Sequence, residues 1–478
     1  MVPTLCKSPM SDSIDYASLK ERLETHGQSH VFQFWDELNT GQRTRLAAQI
    51  HSIDLELLSK LVAGEDKKQD FAAMASRATA PPAVKFDGTG ATWTIAEAKE
   101  LGDQALASGR VAAVIVAGGQ GTRLGFDQPK GMFPIGPVSK RTLFEIFADR
   151  LRAIAKRYGV HVPLYLMTSP ATHDETVAYW SRNDFMGLPS NDVYIFCQGT
   201  MPAVDASSGK LLLEEKDCLA LSPDGHGGTI AALAKAGCLA DAASRGVDLF
   251  SYVQVDNPLV SLCDANLLGH HLMSGSEMTT QVVRKRFATE KVGNVVVIDG
   301  RVQIIEYSDL PDEAAQKCAE SGDLLLWAGN IAVHVLDRSF LERAANWSDV
   351  LPFHRALKNV PFIDNHGNRV QPEKPNAIKY ERFIFDLLPH AENAFVVEAL
   401  ASEAFAPVKN ANGSATDTPD HAMQGISDLH RGWLNAAGVQ VPSHIRVEIN
   451  PLFAIDAQEL KSKCQSGEKI TSDRYFAT

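Results

Sequence analysis

Apolar positions recur at three- and four-residue spacing from residue 14 to about 80, where Leu19, Leu23, Leu38, Leu46, Ile50, Leu58 and Leu61 stand between charged neighbours. That period predicts amphipathic helices. The stretch around Glu65 and the Pro81–Pro82 pair read as connectors. The texture changes at Val111, where a continuous apolar run (111–117) has the pattern of a strand buried on both faces of a parallel sheet. After a glycine-rich loop, a helix is predicted over 141–159. Thr142 and Glu145 form its capping box, and Leu143, Phe147, Leu151, Ile154 and Tyr158 share one face. A strand at 162–168, a second capping box at Thr172 and Glu175, and a strand at 193–196 follow. Residues 250–257 read as another strand that Asp256 closes, and 294–307 as a hairpin turning at Asp299-Gly300. Strand–helix alternation predicts an α/β fold around a mixed, mostly parallel sheet. From about residue 390 a few strands (394–401, 444–453) flank a polar loop at 410–422. The expected organisation is a helical N-terminal region (1–105) that packs and braces, a central α/β domain (106–390) and a small C-terminal α+β domain (391–478).

At 478 residues the chain exceeds one ordinary domain, and 45% hydrophobic with 22% charged residues is a globular balance. Lys and Arg number 46 against 58 Asp and Glu, leaving a formal charge of −12 with no basic block. That excludes general binding to nucleic-acid polymers or anionic membranes and points to a small substrate held by a few local cations. Seven scattered cysteines without a C-x-x-C pair form neither a disulfide framework nor a zinc ribbon, and most read as small buried hydrophobes. The first residues lack the apolar core of a signal peptide, and no apolar run reaches the ~18 residues that span a bilayer. The expectation is a soluble, cytoplasmic protein.

The chemistry concentrates in VAGGQGTRLGFDQPKGM (116–132), directly after the buried strand. Gly118, Gly119, Gly121 and Gly125 let successive N–H groups approach phosphate oxygens, and Arg123 and Lys130 add local charge. Two common phosphate loops fail here. A dinucleotide fingerprint needs glycine where Leu124 stands, which removes a nicotinamide dehydrogenase, and a Walker A loop needs glycine where Arg123 stands.

The remaining pattern, G-G-x-G-T-R-L-G with a Pro-Lys beyond it, resembles the signature loop of nucleotide-sugar pyrophosphorylases. FCQGTMPA, LLLEEK, SPDGHGGT, YVQVDN, IIEYSD, WAGNIAVH, KPNAIKYERFIFD and APVKNANG follow in family order over roughly residues 110 to 425. Together they resemble the eukaryotic-type UDP-sugar pyrophosphorylases, and within them the UDP-N-acetylhexosamine branch. The resemblance implies a Rossmann-like, GT-A-like nucleotidyltransferase core. It implies that UTP and a hexose-1-phosphate, N-acetylglucosamine 1-phosphate in first place, give a UDP-sugar and pyrophosphate. It carries Ala117, Gly118, Gly119, Gln198 and Gly225 over as nucleotide-binding residues. Arg123, Lys130 and Lys409 become the catalytic cations, and Lys379 a phosphate-binding lysine. Asp256 becomes the Mg²⁺ ligand, and His226, Glu306, Gly329 and Asn330 the sugar-binding set. The attacking phosphate oxygen is already an anion, so no general base is needed, and no Ser/His/Asp or Cys/His constellation is evident. The adjacent His270 and His271 lack metal-ligand spacing.

One position departs from the pattern. The N-acetyl branch of animals and fungi carries Asn in P-D-G-N-G-G, whereas this chain has His226, the residue of the glucose-handling branch. The C-terminal region also reads as shorter than in the animal enzymes. Glucose or galactose 1-phosphate is therefore the alternative substrate, and a catalytically silent binding protein the alternative of another class.

Overall fold

The computed structural model describes residues 15–64, 70–347 and 351–477. Cys6 and the core of the connector at Glu65 lie outside the described residues. Two compact units emerge, each assembled from separated stretches of chain: 15–64, 198–228 and 351–384 make one, and 70–197, 229–347 and 385–477 the other.

The larger unit is built on a mixed nine-stranded sheet. Its strands are β1 (Val111–Val116), β2 (Leu164–Thr168), β3 (Val193–Cys197), β4 (Leu249–Gln254), β5 (Met278–Arg284), β6 (Asn294–Ile298), β7 (Arg301–Ile305), β8 (Ala328–Asp337) and β9 (Ala394–Ala399). β1 lies between β2 and β4, parallel to both, and β3 continues parallel beyond β2. β8 runs antiparallel to β4 and β5, and β9 pairs parallel with β5. Thus the strand expected to open the C-terminal region belongs to this sheet. β1, with no polar side chain and almost no exposure, is the buried strand that its composition demanded.

The helix Leu143–Tyr158 has the expected box, with the Thr142 hydroxyl accepting from Glu145 N–H and the Glu145 carboxylate from Thr142 N–H. The second expected box is absent. Thr172 spends its hydroxyl on Ser169, accepting from its N–H at 3.1 Å and donating to its carbonyl, so a local turn outcompetes the helix cap. The 294–307 hairpin is present, with Asp299 and Gly300 both at positive φ as a tight primed turn requires. Among 410–453 the sequence reading missed the helix Pro419–Ala436, although Thr418 at the cap and Pro419 in the first turn are its ordinary start signals. Of the six described cysteines all are free, but only Cys238 and Cys263 are fully buried.

The smaller unit packs the helices Tyr16–Thr25, Thr40–Ser52 and Leu55–Ala63 around an apolar cluster. In the same cluster lie Val204, Leu211, Leu213, Leu219 and Tyr380, so these helices share one apolar core with strand residues far along the chain. A three-stranded sheet orders His354–Lys358, Ala377–Glu381 and Val204–Asp205. Lys379, expected near a helix start, instead lies inside its central strand opposite Ala356. Antiparallel partners on both sides override the local pattern. No helix among the described residues is long and apolar enough to cross a membrane.

Candidate active site

In the larger unit the phosphate-type residues gather at the carboxyl ends of the parallel strands. The chain runs from β1 to β2 and β3 on one side, then returns to β4 on the other, so the β1–β4 boundary is a topological switch point, where open α/β sheets collect ligands. The glycine-rich loop leaves β1 there, and Asp256 sits two residues beyond β4. Lys130 Nζ stands 3.7 Å from Asp256, with about a sixth of either side chain exposed (18% and 14%). Lys130 N–H also donates to the Gly119 carbonyl at 3.0 Å, which folds the loop back on itself. Arg123 lies exposed in the turn Thr122–Leu124 and has no hydrogen bond or ion pair among the described residues. Ala117 is buried and anchored through its N–H to Met167.

Two side chains that the sequence reading did not single out organise this edge. Ser169, just past β2, donates its hydroxyl to the Gly118 carbonyl at 2.7 Å. Asn257, next to Asp256, is 3% exposed; it donates to Ala404 and accepts from the N–H of Ala406. Val408 N–H donates to the Asp256 carbonyl at 2.8 Å, so the segment that carries Lys409 is tied to the Asp256 turn. Neither residue type advertises such work, because Ser and Asn beside a strand end are common turn formers.

Glu306, Gly329 and Asn330 come together around the β6–β7 hairpin. Asn330 N–H donates to the Gly293 carbonyl at 2.8 Å, and Gly329 pairs with Asn294. A Cβ on Gly293 would stand 2.7 Å from Glu306 Oε1, so the carboxylate rests against bare backbone. The β5–β8 register breaks at Gln281/Val282, and Ala332 adopts a positive φ. Bulges of this kind re-aim side chains. Here the Asn330 amide oxygen accepts from Ala332 N–H at 3.0 Å, which commits the oxygen and leaves the NH₂ as the donor end.

The other four expected residues are in the smaller unit. Gln198 is 7% exposed and donates to Asp224 at 3.5 Å. Burial pushes the Asp224 carboxyl above the usual range, against the opposing Arg382 charge. Gly199 and Gly228 close around that carboxylate: a Cβ on them would meet it at 2.7 and 2.2 Å. Gly225 has φ +85 and lies against the Arg382 backbone, a position that only glycine fills without strain. The His226 ring stacks on Phe383, centroids 5.1 Å apart, and Nδ1 accepts from the Ile384 N–H at 3.2 Å. Burial, with His354 adding to it, pushes the His226 pKa down to about 4. The ring is thus neutral at pH 7, with its proton on Nε2. Lys379 has no ion pair among the described residues.

No group of three or more His, Cys, Asp or Glu side chains disposed to hold a metal occurs among the described residues. Asp256 offers a hard oxygen at the phosphate edge. A single carboxylate fits Mg²⁺, which keeps several waters and takes its remaining ligands from phosphates.

The model of the family described as UTP–glucose-1-phosphate uridylyltransferase matches residues 70–429. The human UDP-N-acetylhexosamine pyrophosphorylase-like protein 1 is 36% identical over 437 residues, covering 88% of this chain and 86% of that protein. The UDP-N-acetylglucosamine pyrophosphorylase of Saccharomyces cerevisiae is 33% identical, covering 91% of this chain and 94% of the yeast protein. In fold, the chain is similar to the Trypanosoma brucei uridine diphosphate N-acetylglucosamine pyrophosphorylase solved with an inhibitor. The TM-score is 0.80 at 24% identity, with 95% and 96% of the two chains covered. With the family model spanning three quarters of its length and such relatives along nearly all of it, this chain belongs to the UDP-sugar pyrophosphorylase family, the uridylyltransferases.

Proposed function

We propose that this protein joins UTP to N-acetylglucosamine 1-phosphate, releasing pyrophosphate and UDP-N-acetylglucosamine, and that it does so in the cytoplasm. The sugar phosphate oxygen forms a bond to the α-phosphorus while the bond from that phosphorus to the pyrophosphate oxygen breaks. Such a reaction asks for alignment and charge neutralisation more than for a protein nucleophile. The observation that carries the reading is the Lys130–Asp256 pair beneath a glycine-rich loop at the β1–β4 switch point. Arg123, without a partner among the described residues, is available to phosphate, and Lys130 can exchange Asp256 for a phosphate oxygen. Lys409, held beside the Asp256 turn through Val408, is the third cation. Asp256 would hold Mg²⁺, which when bound neutralises phosphate oxygens. Gln198 and Gly225 wall the uracil, and Lys379 meets phosphate. Glu306 accepts from sugar hydroxyls, and the Asn330 NH₂ donates to an acetamido or hydroxyl oxygen.

His226 favours a second reading, in which glucose or galactose 1-phosphate is the substrate. Its ring, neutral at pH 7, stands where the N-acetyl branch has a carboxamide. The test is pyrophosphate release with Mg²⁺, UTP and the 1-phosphates of N-acetylglucosamine, N-acetylgalactosamine, glucose and galactose. Turnover with the N-acetyl sugars supports the first reading, and turnover with the neutral hexoses alone supports the second. Silence with all four, in a folded protein, overturns both.

A further inference from the structure

Lys285 is out of place for a lysine. It ends the segment after β5 with 5% of its surface exposed, and no carboxylate pairs with it among the described residues. The nearest acid in sequence, Glu290, is engaged by Arg286. The Lys285 ammonium donates instead to the Asn294 amide oxygen at 2.6 Å and to the Ala288 carbonyl at 3.3 Å. A buried ammonium whose hydrogen bonds go to neutral oxygens is costly even with the Glu290 charge near it.

What it holds is the junction between the two halves of the sugar shelf. Asn294, 2% exposed, donates from its Nδ2 to the carbonyl of Ile305, the residue before Glu306, at 3.2 Å. On its other side Asn294 pairs with Gly329, and the preceding residue, Gly293, accepts the Asn330 N–H. Lys285 also packs along Gly329 itself, where an added Cβ would meet its Cγ at 3.4 Å. Asn294 thus ties the end of β7 before Glu306, through its carboxamide, to Gly329, through its backbone, and one ammonium fixes which way that carboxamide faces.

We propose that Lys285 is a positioning residue of the sugar-phosphate pocket. By orienting Asn294 it sets the distance between the Glu306 carboxylate and the Asn330 amide, and it does not touch the nucleotide. The proposal rests on the uridylyl-transfer reading above, since only that reading makes Glu306 and Asn330 a sugar pocket. With an apolar side chain at 285 the Asn294 amide loses its strongest partner and is free to flip, which reverses donor and acceptor toward Ile305.

The experiment measures KM for N-acetylglucosamine 1-phosphate and for UTP separately, by pyrophosphate release, in the wild type, Lys285→Met, Lys285→Gln and Asn294→Asp. Lys285→Met is expected to raise KM for the sugar phosphate at least tenfold while KM for UTP stays within twofold. Lys285→Gln, which keeps a donor, recovers part of that loss. Asn294→Asp keeps the acceptor for the ammonium but loses the donor to Ile305. It is expected to show the same selective loss, and it decides the matter if Lys285→Met fails to fold. Equal losses toward both substrates, or an unchanged sugar KM, overturn the proposal. Silence of the wild type overturns the uridylyl-transfer reading instead. The proposal is then decided by calorimetry with UDP-N-acetylglucosamine and UDP: an unchanged ratio of affinities in Lys285→Met overturns it, and a tenfold fall in that ratio upholds it.

Discussion

The proposed phosphate edge and the proposed sugar shelf of the larger unit are held in opposite ways. At the phosphate edge the cations are lightly held: Arg123 has no partner among the described residues, and Lys130 has Asp256 at 3.7 Å, an ion pair longer than a hydrogen bond. At the sugar shelf the polar groups are bound tightly from behind, with the Asn294 carboxamide engaged from both sides and the Asn330 oxygen taken by Ala332. Phosphate brings its own strong charge, so a cation that remains free to move can find it. A sugar hydroxyl brings only a weak dipole, and discrimination among hydroxyls requires donors and acceptors that cannot rearrange.

The largest expected effect tests the lightly held side. Arg123→Ala should lower kcat about 100-fold or more, since a charge-assisted contact to the reacting phosphates is removed. Its Tm should stay within about 1 °C of wild type, because the side chain holds nothing inside the protein. Near wild-type turnover, measured as pyrophosphate release, would break the comparison at its strongest point.

Next comes Gly293→Ala, aimed at the tightly held side. The added methyl would meet Glu306 Oε1 at 2.7 Å and Ile304 Cγ2 at 2.9 Å. The flexible carboxylate yields first, so KM for the sugar phosphate should rise about 30-fold, or about 2 kcal/mol, with KM for UTP unchanged. An unaltered sugar KM would mean that the carboxylate is not the part the pocket depends on.

Legibility in the sequence divides along the same line. The glycine loop, Arg123 and Lys130 are legible because a phosphate-type loop has a local signature, glycines and cations at short spacing after an apolar strand, whereas Asp256 is marked only by its place at a strand end and by family resemblance. The shelf was readable only through family resemblance. Lys285, Asn294 and Gly293 are each ordinary in sequence, and their pairing depends on a sheet register and a bulge in β8 that periodicity does not encode. Lys379 was misplaced for a related reason, since a strand interior is set by partners remote in sequence, here residues near 205 and 356. The helix Pro419–Ala436 is different: its start signals were present, and the polar residues ahead of it masked them.

His226 carries the comparison into the smaller unit through pH. Its pKa of about 4 lies below the unfolded value of 6.5, so the folded state binds the proton less well. The stability that this contributes is complete above about pH 6.5 and is lost as pH falls toward 4. Between pH 7 and 5 the wild type should lose about 2 kcal/mol that His226→Asn retains, read as the difference between their denaturant midpoints. Parallel losses in the two proteins would show that the ring is not held neutral, and the case that His226 makes for neutral hexoses would weaken with it.

The smallest effect sharpens the contrast, because Ser169 is the place where the phosphate edge is itself fixed from behind. The Gly118 carbonyl that accepts its hydroxyl belongs to the same peptide unit as the Gly119 N–H. In a planar trans peptide these two groups point to opposite sides. Holding the oxygen on Ser169 therefore aims the Gly119 N–H away from Ser169, the orientation that a nucleotide phosphate at the proposed site would use. Ser169→Ala removes that hold without adding bulk, and the glycines on both sides let the peptide turn freely. The expected result is about a tenfold fall in kcat/KM for UTP, worth about 1.4 kcal/mol of transition-state stabilisation. The sugar-phosphate KM should not change. Ser169→Thr, which keeps the hydroxyl, should restore most of the loss if the buried turn accommodates its methyl. Should Ser169→Ala leave kcat/KM for UTP untouched, the phosphate edge would be lightly held throughout, and only the sugar shelf would depend on residues that never touch substrate.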